Sequence, residues 1–336
     1  MKIRSLETII LIIGAIAILL IISEYDINGT LKAIASLNVA DLSAALLMLF
    51  LFTFAKILPW SYILRKIKLK MPLSQSIAMM YAFFGLGIIP TSIGQFLPLR
   101  YLDRYQKDAR FFSLGIILAL NATAALALAL LGLLAAIQLS QYVAYLLALF
   151  AVYYIILSLL GFRPINRRLP GVIKRLLKPK KHPVFRSVVR YVNDIQKHNT
   201  FLSQQDILSE MVLFIPSLLA EAAMLFFIFS ALGQNISIIS AIFIFAVSVT
   251  IGNLSFLPSG IGATDTALVA LAILFGAPGA IAILAAIVFR FLNTLIVVLL
   301  GYGSFVYVKS IHVPTVVEET LKNRTRMLGK KKAVRK

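Results

Sequence analysis

The sequence contains two matching Pro/Gly stretches, Ile89-Pro90-Thr91-Ser92-Ile93-Gly94 and Leu257-Pro258-Ser259-Gly260-Ile261-Gly262. Both follow the pattern Pro-x-x-Ile-Gly, and the two prolines lie 168 residues apart, half the length of the 336-residue chain. Each stretch interrupts a long apolar segment, about 73–99 and about 237–277. Because proline and glycine break helices, each segment is predicted to form two short helices joined by a turn. A chance match between two kinked helices is the alternative.

The rest of the chain is too apolar for a soluble protein. Hydrophobic residues make up 60% and charged residues 14%, whereas soluble domains have about 45–50% and about 25%. This composition excludes a soluble enzyme and indicates an all-α polytopic membrane protein. Six uninterrupted segments are long enough to cross a bilayer: residues 6–23, 41–62, 111–137, 141–161, 207–232 and 279–308.

The basic residues indicate how the chain is oriented in the membrane. The net charge is +20, and 30 of the 33 Lys and Arg residues fall within five clusters, at 2–4, 65–70, 100–110, 163–197 and 309–336. The positive-inside rule predicts that all five clusters are cytoplasmic. A full crossing by 73–99 would put the third cluster outside, so this segment is predicted to enter the membrane and return. The charge therefore requires no nucleic-acid partner.

The two halves of the chain are predicted to form an inverted repeat. The second interrupted segment is also read as a re-entrant helical hairpin, which gives about six full spans plus two hairpins. The halves, about 41–137 and 207–308, then begin on opposite sides of the membrane, as in many transporters. We expect one transmembrane domain, 1–310, with a cytoplasmic basic loop, 163–200, and a basic cytoplasmic tail, 311–336. Both termini are expected in the cytoplasm.

The loop at 163–200 has two open interpretations. Val184, Val188, Val192 and Ile195 recur at helical spacing, with basic residues between them. This pattern is typical of an interfacial helix lying on an anionic leaflet. A solvated loop that only fixes the orientation of the chain fits the same residues.

Four charged residues stand out within the predicted membrane segments, where charges are costly and often functional. Lys56 lies near the cytoplasmic end of its span and is expected to extend its ammonium group to the surface. Arg290 has long apolar stretches on both sides, so it requires either an acidic partner, Glu221 or Asp265, or an anionic ligand.

A helix that begins after each turn would direct its free N–H groups into the membrane interior. Together with Arg290, these groups suggest a pocket for the phosphate of a lipid headgroup. The predicted substrate-binding residues are Arg290, Asp265, Glu221, Gln95, Arg100, Pro90, Gly94, Pro258, Gly260 and Gly262. The chain has no cysteine and only three scattered histidines, so we expect no metal site, no cofactor and no catalytic residues.

The second half of the chain resembles the transmembrane, flippase-like region of lysylphosphatidylglycerol synthases. The run from Leu257 to Asp265 is similar to that family's Pro-Gly-Gly-hydrophobic-Gly run with a nearby Glu. Phe275-Gly276-Ala277-Pro278 is similar to its Leu-Gly-hydrophobic-Pro. Arg290 falls at the family's intramembrane Arg, and Gly301 at a later Gly.

The first half resembles the same family more loosely. Pro90 and Gly94 fit its Pro-x-x-hydrophobic-Gly-Glu pattern, but Gln95 stands in place of the Glu. Pro98 occupies the position of the family's following Arg, and Arg100 lies two residues beyond it. The first half therefore lacks the family's acid and Arg at their usual positions.

The resemblance implies a multi-pass protein of the plasma membrane that binds and flips a phospholipid or a polyprenyl-phosphate-linked lipid. Its partners would be an anionic phospholipid or a lipid-linked sugar. It is expected to be a stand-alone, archaeal member without the aminoacyl-transfer domain, and not an enzyme. One alternative is a non-transporting membrane subunit that docks a glycosyltransferase or another envelope-biosynthesis enzyme. A lipid-modifying transferase is a further alternative, although the chain has no Asp-x-Asp motif.

Overall fold

The chain folds as helices throughout the part that can be described. A computed structural model of the protein describes residues 37–88, 93–106, 113–139, 203–255, 260 and 262–311. Within these ranges there are α-helices and short 3₁₀ and π segments but no β-strand, which confirms the predicted all-α class. Several predictions lie outside these ranges: the spans 6–23 and 141–161, the loop 163–200, nearly all of the tail, and the turn residues Pro90 and Pro258.

The helices are numbered along the described part of the chain. The first half contains α1 (Val39–Ala55), α2 (Ile57–Lys66), α3 (Leu73–Gly85), α4 (Ile93–Leu99) and α5 (Ser113–Leu139). The second half contains α6 (Gln204–Ala231), α7 (Ile238–Leu254), α8 (Ala263–Leu274), α9 (Gly279–Arg290) and α10 (Val297–Ser310). Two 3₁₀ segments, Leu86–Ile88 and Arg100–Arg104, and one π segment, Phe291–Ile296, complete the assignment.

Four helical segments in the described part are long and apolar enough to cross a membrane. They are Val39–Lys66, Gly115–Leu139, Gln205–Ala231 and Gly279–Ser310. They coincide with four of the six predicted spans, and the other two predicted spans lie outside the described residues. The protein is therefore an integral membrane protein.

Each interrupted apolar segment forms two shorter helices, as its Pro/Gly turn predicts. The first gives α3 and α4, and the second gives α7 and α8. With 17 residues in α7 and 12 in α8, both fall short of the roughly 20 residues that a helix needs to span a bilayer. The members of each pair contact each other.

Local sequence signals set several helix boundaries. Ser203 and Asp206 form a capping box that starts α6, which satisfies two of the free N–H groups of its first turn. Between α8 and α9, Gly276 adopts a φ of 91°, and Pro278 caps the next helix. A break at Lys56 separates α1 from α2, and Pro59 follows it. Proline cannot donate a hydrogen bond to the carbonyl four residues earlier, so it favours a break here.

The helices of the two halves pack against each other. Helix α1 lies along α6, α3 lies along α10, and α5 lies along α7. The largest fully buried side chains include Trp60, Phe52, Phe83, Phe229 and Phe245. The Trp60 indole Nε1 donates a hydrogen bond of 3.2 Å to Ser76 Oγ, so this buried polar atom is satisfied.

Helices α3 and α10 touch through two glycines. A Cβ atom added to Gly85 would lie 2.5 Å from the Cα of Gly301, and one added to Gly301 would lie 2.5 Å from the Cα of Gly85. Small residues allow membrane helices to approach to backbone contact, where van der Waals packing holds them together. This contact requires glycine at both positions.

Arg104 connects the end of the first interrupted segment to the end of the last helix. Its Nη1 donates hydrogen bonds to the carbonyl oxygens of Val308, at 2.8 Å, and Ile311, at 2.9 Å. These two carbonyl groups lie at the C-terminal end of α10. Carbonyl groups at a helix C-terminus have no backbone N–H partner within the helix, so Arg104 supplies the missing donors. The guanidinium group also lies 4.2 Å from the centre of the Tyr101 ring.

Candidate functional site

Arg290 and Asp265 form an ion pair between α9 and α8. The Arg290 Nε donates a hydrogen bond of 2.8 Å to Asp265 Oδ1, and Nη2 lies 2.7 Å from the same oxygen. The side chains are 22% and 19% exposed, respectively, so neither is fully buried. Of the two acids that the sequence offers to Arg290, the structure therefore selects Asp265.

The start of α8 positions the Asp265 carboxylate. Asp265 Oδ2 accepts a hydrogen bond of 3.0 Å from the backbone N–H of Gly262, which caps the helix. Gly262 has a φ of 83°, a conformation that a glycine adopts without the cost of a Cβ clash. One carboxylate thus serves both as an N-terminal cap and as the counter-ion of Arg290.

The backbone before α8 packs tightly against the end of α7. A Cβ atom added to Gly260 would lie 2.8 Å from the Cα of Gly252 and 2.4 Å from Thr264 Oγ1. Gly260 also has a φ of 63°, so any other residue would be strained there. Gly260 therefore allows the first turn of α8, and with it Asp265, to lie close to α7.

Glu221 of α6 pairs with Asn293 in the π segment. The Asn293 side-chain amide donates a short hydrogen bond to Glu221 Oε1. The Lys56 ammonium interacts electrostatically with the same carboxylate, and lies 3.9 Å from the centre of the Phe52 ring. The expected extension of Lys56 to the surface is therefore wrong, because aromatic rings and an acid attract its charge inward.

The π segment brings the two polar pairs together along one helix. Arg290 is the last residue of α9, and Asn293 follows within Phe291–Ile296. π segments are rare and are often found at functional sites. The result is a small cluster of two acids, two cations and an amide, formed by Lys56, Glu221, Asp265, Arg290 and Asn293, which we call the charged cluster.

Gln95, the predicted site residue next to the first turn, forms a separate polar pair with Asn121 of α5. The Asn121 side-chain amide donates a hydrogen bond of 2.9 Å to Gln95 Oε1 and so links α5 to α4. Gln95 is 5% exposed, and Gly94 beside it is buried. A Cβ atom added to Gly87 would lie 3.2 Å from Gln95 Nε2. Asn121 and Asn293 thus each form a hydrogen bond between helices.

Arg100 lies at an exposed position. Its Nη2 donates a hydrogen bond of 2.8 Å to the Tyr101 hydroxyl, and its guanidinium lies 4.9 Å from that ring. This differs from Arg290, which is paired with an acid between helices. Pro90 and Pro258, the remaining predicted site residues, lie outside the described residues.

Asn293 was not among the predicted site residues, although the sequence contains a signal for it. It lies three residues after Arg290 in an apolar span, and residues three apart share a helix face. The charged cluster contains no grouping of His, Cys, Asp and Glu suited to a metal ion, and none occurs elsewhere in the described residues. The Arg290 guanidinium and the N-terminus of α8 are groups that bind anions in proteins, and here both contact the Asp265 carboxylate.

Comparison with known proteins supports the resemblance noted in the sequence. The family described as Lysylphosphatidylglycerol synthase TM region matches residues 8–301 of the chain. This match includes both Pro/Gly stretches and every residue of the charged cluster. A comparison with curated proteins found no match.

Proposed function

The chain belongs to the family of the lysylphosphatidylglycerol synthase TM region, and on this premise we propose that it binds an anionic lipid and moves it across the membrane. The family connects the protein with lipid handling. The substrate would be a phospholipid or a polyprenyl-phosphate-linked lipid, because both carry a phosphate at the membrane surface and apolar chains that remain in the bilayer.

The ion pair between Arg290 and Asp265 is the observation that carries the proposal. Charges in membrane segments are costly, and such residues commonly mark substrate pathways. A lipid phosphate could replace Asp265 as the counter-ion of Arg290, since guanidinium groups bind carboxylates and phosphates through the same hydrogen bonds. The backbone N–H groups at the start of α8 would add donors to the same phosphate.

The packing between the halves supports the inverted repeat that we propose for this transport. The first spans of the two halves, α1 and α6, pack against each other. In the repeat, α3 corresponds to α7, and α5 corresponds to α9 and α10. Helix α3 packs against α10, and in the same way α7 packs against α5. Exchanging the halves exchanges these particular contacts with one another, as a two-fold relation requires. Substrate sites of such transporters lie near the repeat interface.

We further propose that the protein lies in the plasma membrane with both termini in the cytoplasm. The distribution of basic residues supports this orientation. In it, the two interrupted segments enter the membrane from opposite sides, and their short helices α4 and α8 provide the two ends of a path for the headgroup.

The proposal can be tested in proteoliposomes that contain a fluorescent anionic phospholipid in both leaflets. A membrane-impermeant quencher reaches the outer leaflet at once and the inner leaflet only as lipid moves. We expect wild-type protein to expose the inner-leaflet lipid and Arg290→Gln to slow this about tenfold or more, because a charge-assisted hydrogen bond contributes about 1.5–3 kcal/mol. Arg290→Lys should give an intermediate rate, since it retains the charge.

The double variant Arg290→Gln/Asp265→Asn controls for misfolding, because it leaves neither charge unpaired. It should melt close to wild type and still be slow. Wild-type rates equal to those of empty liposomes would contradict the proposal. If a glycosyltransferase then co-purified with the inactive protein, the docking-subunit alternative would replace it.

A further inference from the structure

Glu210 of α6 is a buried acid with an unusual environment. The residue is 0% exposed, and neither of its carboxyl oxygens accepts a hydrogen bond from any described residue. Buried polar groups in proteins are almost always hydrogen-bonded, and an ionised carboxylate without a partner is especially costly to bury. The environment of Glu210 therefore suits a neutral carboxylic acid.

Thr123 of α5 is a polar neighbour of Glu210. Thr123 is 0% exposed, and its hydroxyl group lies close to the Glu210 carboxyl group. Its hydroxyl donates a hydrogen bond of 2.8 Å to the carbonyl oxygen of Ala119. A hydroxyl has one proton and two lone pairs, so Thr123 can accept a hydrogen bond from a protonated Glu210 but has no proton left to donate to an ionised one.

Glu210 belongs to a buried polar stripe along one face of α6. The stripe consists of Asp206, Glu210, Ser217 and Glu221, which are 7%, 0%, 0% and 8% exposed. Their spacings of four, seven and four residues return to the same helix face. At 1.5 Å per residue the stripe is about 22 Å long. It runs from the beginning of α6 to the charged cluster at Glu221.

The ends of the stripe are partnered, unlike Glu210 between them. At the beginning of α6, Asp206 forms an ion pair with Lys66 and accepts a hydrogen bond of 2.8 Å from the Tyr62 hydroxyl. At the other end, Asn293 and Lys56 interact with Glu221. The intervening Ser217 hydroxyl donates to the Phe214 carbonyl oxygen at 2.9 Å.

The helices packed against α6 supply no cation to Glu210 in the described part of the chain. Helices α5 and α7 contain no Asp, Glu, His, Lys, Arg or Tyr. The other neighbouring elements contain six titratable or charged residues. These are Asp41 in α1, Lys56 just before α2, Tyr62, Arg65 and Lys66 in α2, and Arg290 in α9. Lys66, Lys56 and Arg290 each interact with a different acid, and the charged group that acts on Glu210 is Asp206.

We propose that Glu210 is a proton-binding site that couples proton transfer along this stripe to lipid movement at the charged cluster. In the described conformation the carboxyl group holds the proton. Separation of α5 from α6 would admit water, to which the O–H bond gives up its proton, leaving a hydrated carboxylate. When α5 packs against α6 again, the Glu210 carboxylate must take up a proton. The coupling rests on the proposed lipid transport, whereas the proton site itself does not.

The proton site can be tested on purified protein without transport. Infrared difference spectra between neutral and alkaline pH should contain the C=O stretching band of a carboxylic acid that loses its proton. We expect this band to be absent from Glu210→Gln and present, with a shifted frequency, in Glu210→Asp. The Gln variant is a neutral isostere, so it should melt no lower than wild type. An unchanged band in Glu210→Gln would overturn the site.

The coupling can be tested in the lipid-exposure assay with and without a pH difference across the liposome membrane. The wild-type rate should change several-fold with the gradient, and a pH dye inside the liposomes should report proton movement. In Glu210→Gln the rates with and without the gradient should become equal, while Glu210→Asp should retain part of the dependence.

Three outcomes separate the claims. Gradient dependence that persists in Glu210→Gln, or that a sodium gradient reproduces at constant pH, overturns the coupling to protons. A wild-type rate that ignores the gradient also overturns the coupling but leaves lipid transport intact. Wild-type protein that shows the infrared band but moves no lipid overturns the proposed function and leaves the proton site standing.

Discussion

Asp265 has two roles at once, as a helix cap and as a counter-ion. Its Oδ2 caps α8 through the Gly262 N–H, and its Oδ1 contacts Arg290. A ligand that draws Arg290 away would leave the cap in place. The helix start can therefore stay folded while the cation changes partner.

Asp265→Asn should lower the free energy of unfolding by about 1–3 kcal/mol, because it removes the counter-ion of a partly buried cation. The amide oxygen can still cap α8, so the loss reports on the ion pair. Thermal unfolding in detergent measures it. Asp41→Asn is the matched control: Asp41 accepts hydrogen bonds from Asn38 and Ser230. Equal melting temperatures for Asp265→Asn and wild type would refute a stabilising ion pair.

At the scale of single residues, the sequence predicts that Arg290 needs a partner but does not identify that partner. An arginine deep in an apolar span requires an acid, and both Glu221 and Asp265 are available. Only the packing of α6 beside the π segment shows that Glu221 meets Asn293. Glu210 was missed because it lies near the start of a span, where an acid commonly faces water. Its spacing from Asp206 and Glu221 on one helix face is the signal that could have revealed it.

The contact between Gly85 and Gly301 fixes how α3 and α10 cross. Gly301 was noted only as a match to a family position. The structure supplies its physical reason, since its Cα lies against the backbone of α3. A side chain at either position would have to push the two helices apart.

Gly301→Ala should destabilise the protein by about 1–3 kcal/mol, as other overpacked contacts do. Gly303→Ala is the control two residues further along α10, where nothing lies within 4 Å of an added Cβ. That substitution should be neutral or slightly stabilising, because alanine favours helix more than glycine does. The melting temperatures of the two variants in detergent make the comparison. If the two shift alike, the glycine contact does not hold the helices.

Helix boundaries follow from the sequence more readily than irregularities within helices. Pro and Gly correctly predicted the breaks in both interrupted segments and the boundary between α8 and α9. The break at Lys56 was not predicted, although Pro59 explains it once the helix is seen. The π segment had no sequence signal that we recognised, because its residues have ordinary helix preferences.

At the scale of the whole molecule, the two halves are joined by reciprocal contacts. These contacts link residues far apart in sequence, and no local pattern predicts which helices meet. The charges do predict sidedness, since 30 basic residues fall in clusters that one topology can place on one side. Orientation is therefore a prediction from the sequence, whereas helix pairing required the structure.

The topology can be measured because the chain has no cysteine. Single cysteines at Asn28, Arg167 and Arg100 should react with an impermeant thiol reagent from outside, inside and inside, respectively. Arg100 is a better probe than Arg104, since Arg104 binds the end of α10 and Arg100 is exposed. Labelling of Arg100→Cys from outside would refute the re-entry of the first interrupted segment and the inverted repeat with it.

The π segment lets one membrane helix face two different neighbours. Arg290 and Gly301 are eleven residues apart, and in a regular α-helix they would point in directions only about 20° apart. A π turn takes up about one extra residue, which rotates everything beyond it by about 100°. Arg290 can therefore point towards α8 while Gly301 lies against α3. The π turn absorbs this extra residue, so removing one residue from Phe291–Ile296 would restore a regular helix. Gly301 would still face Gly85, and only the residues within the turn would change position.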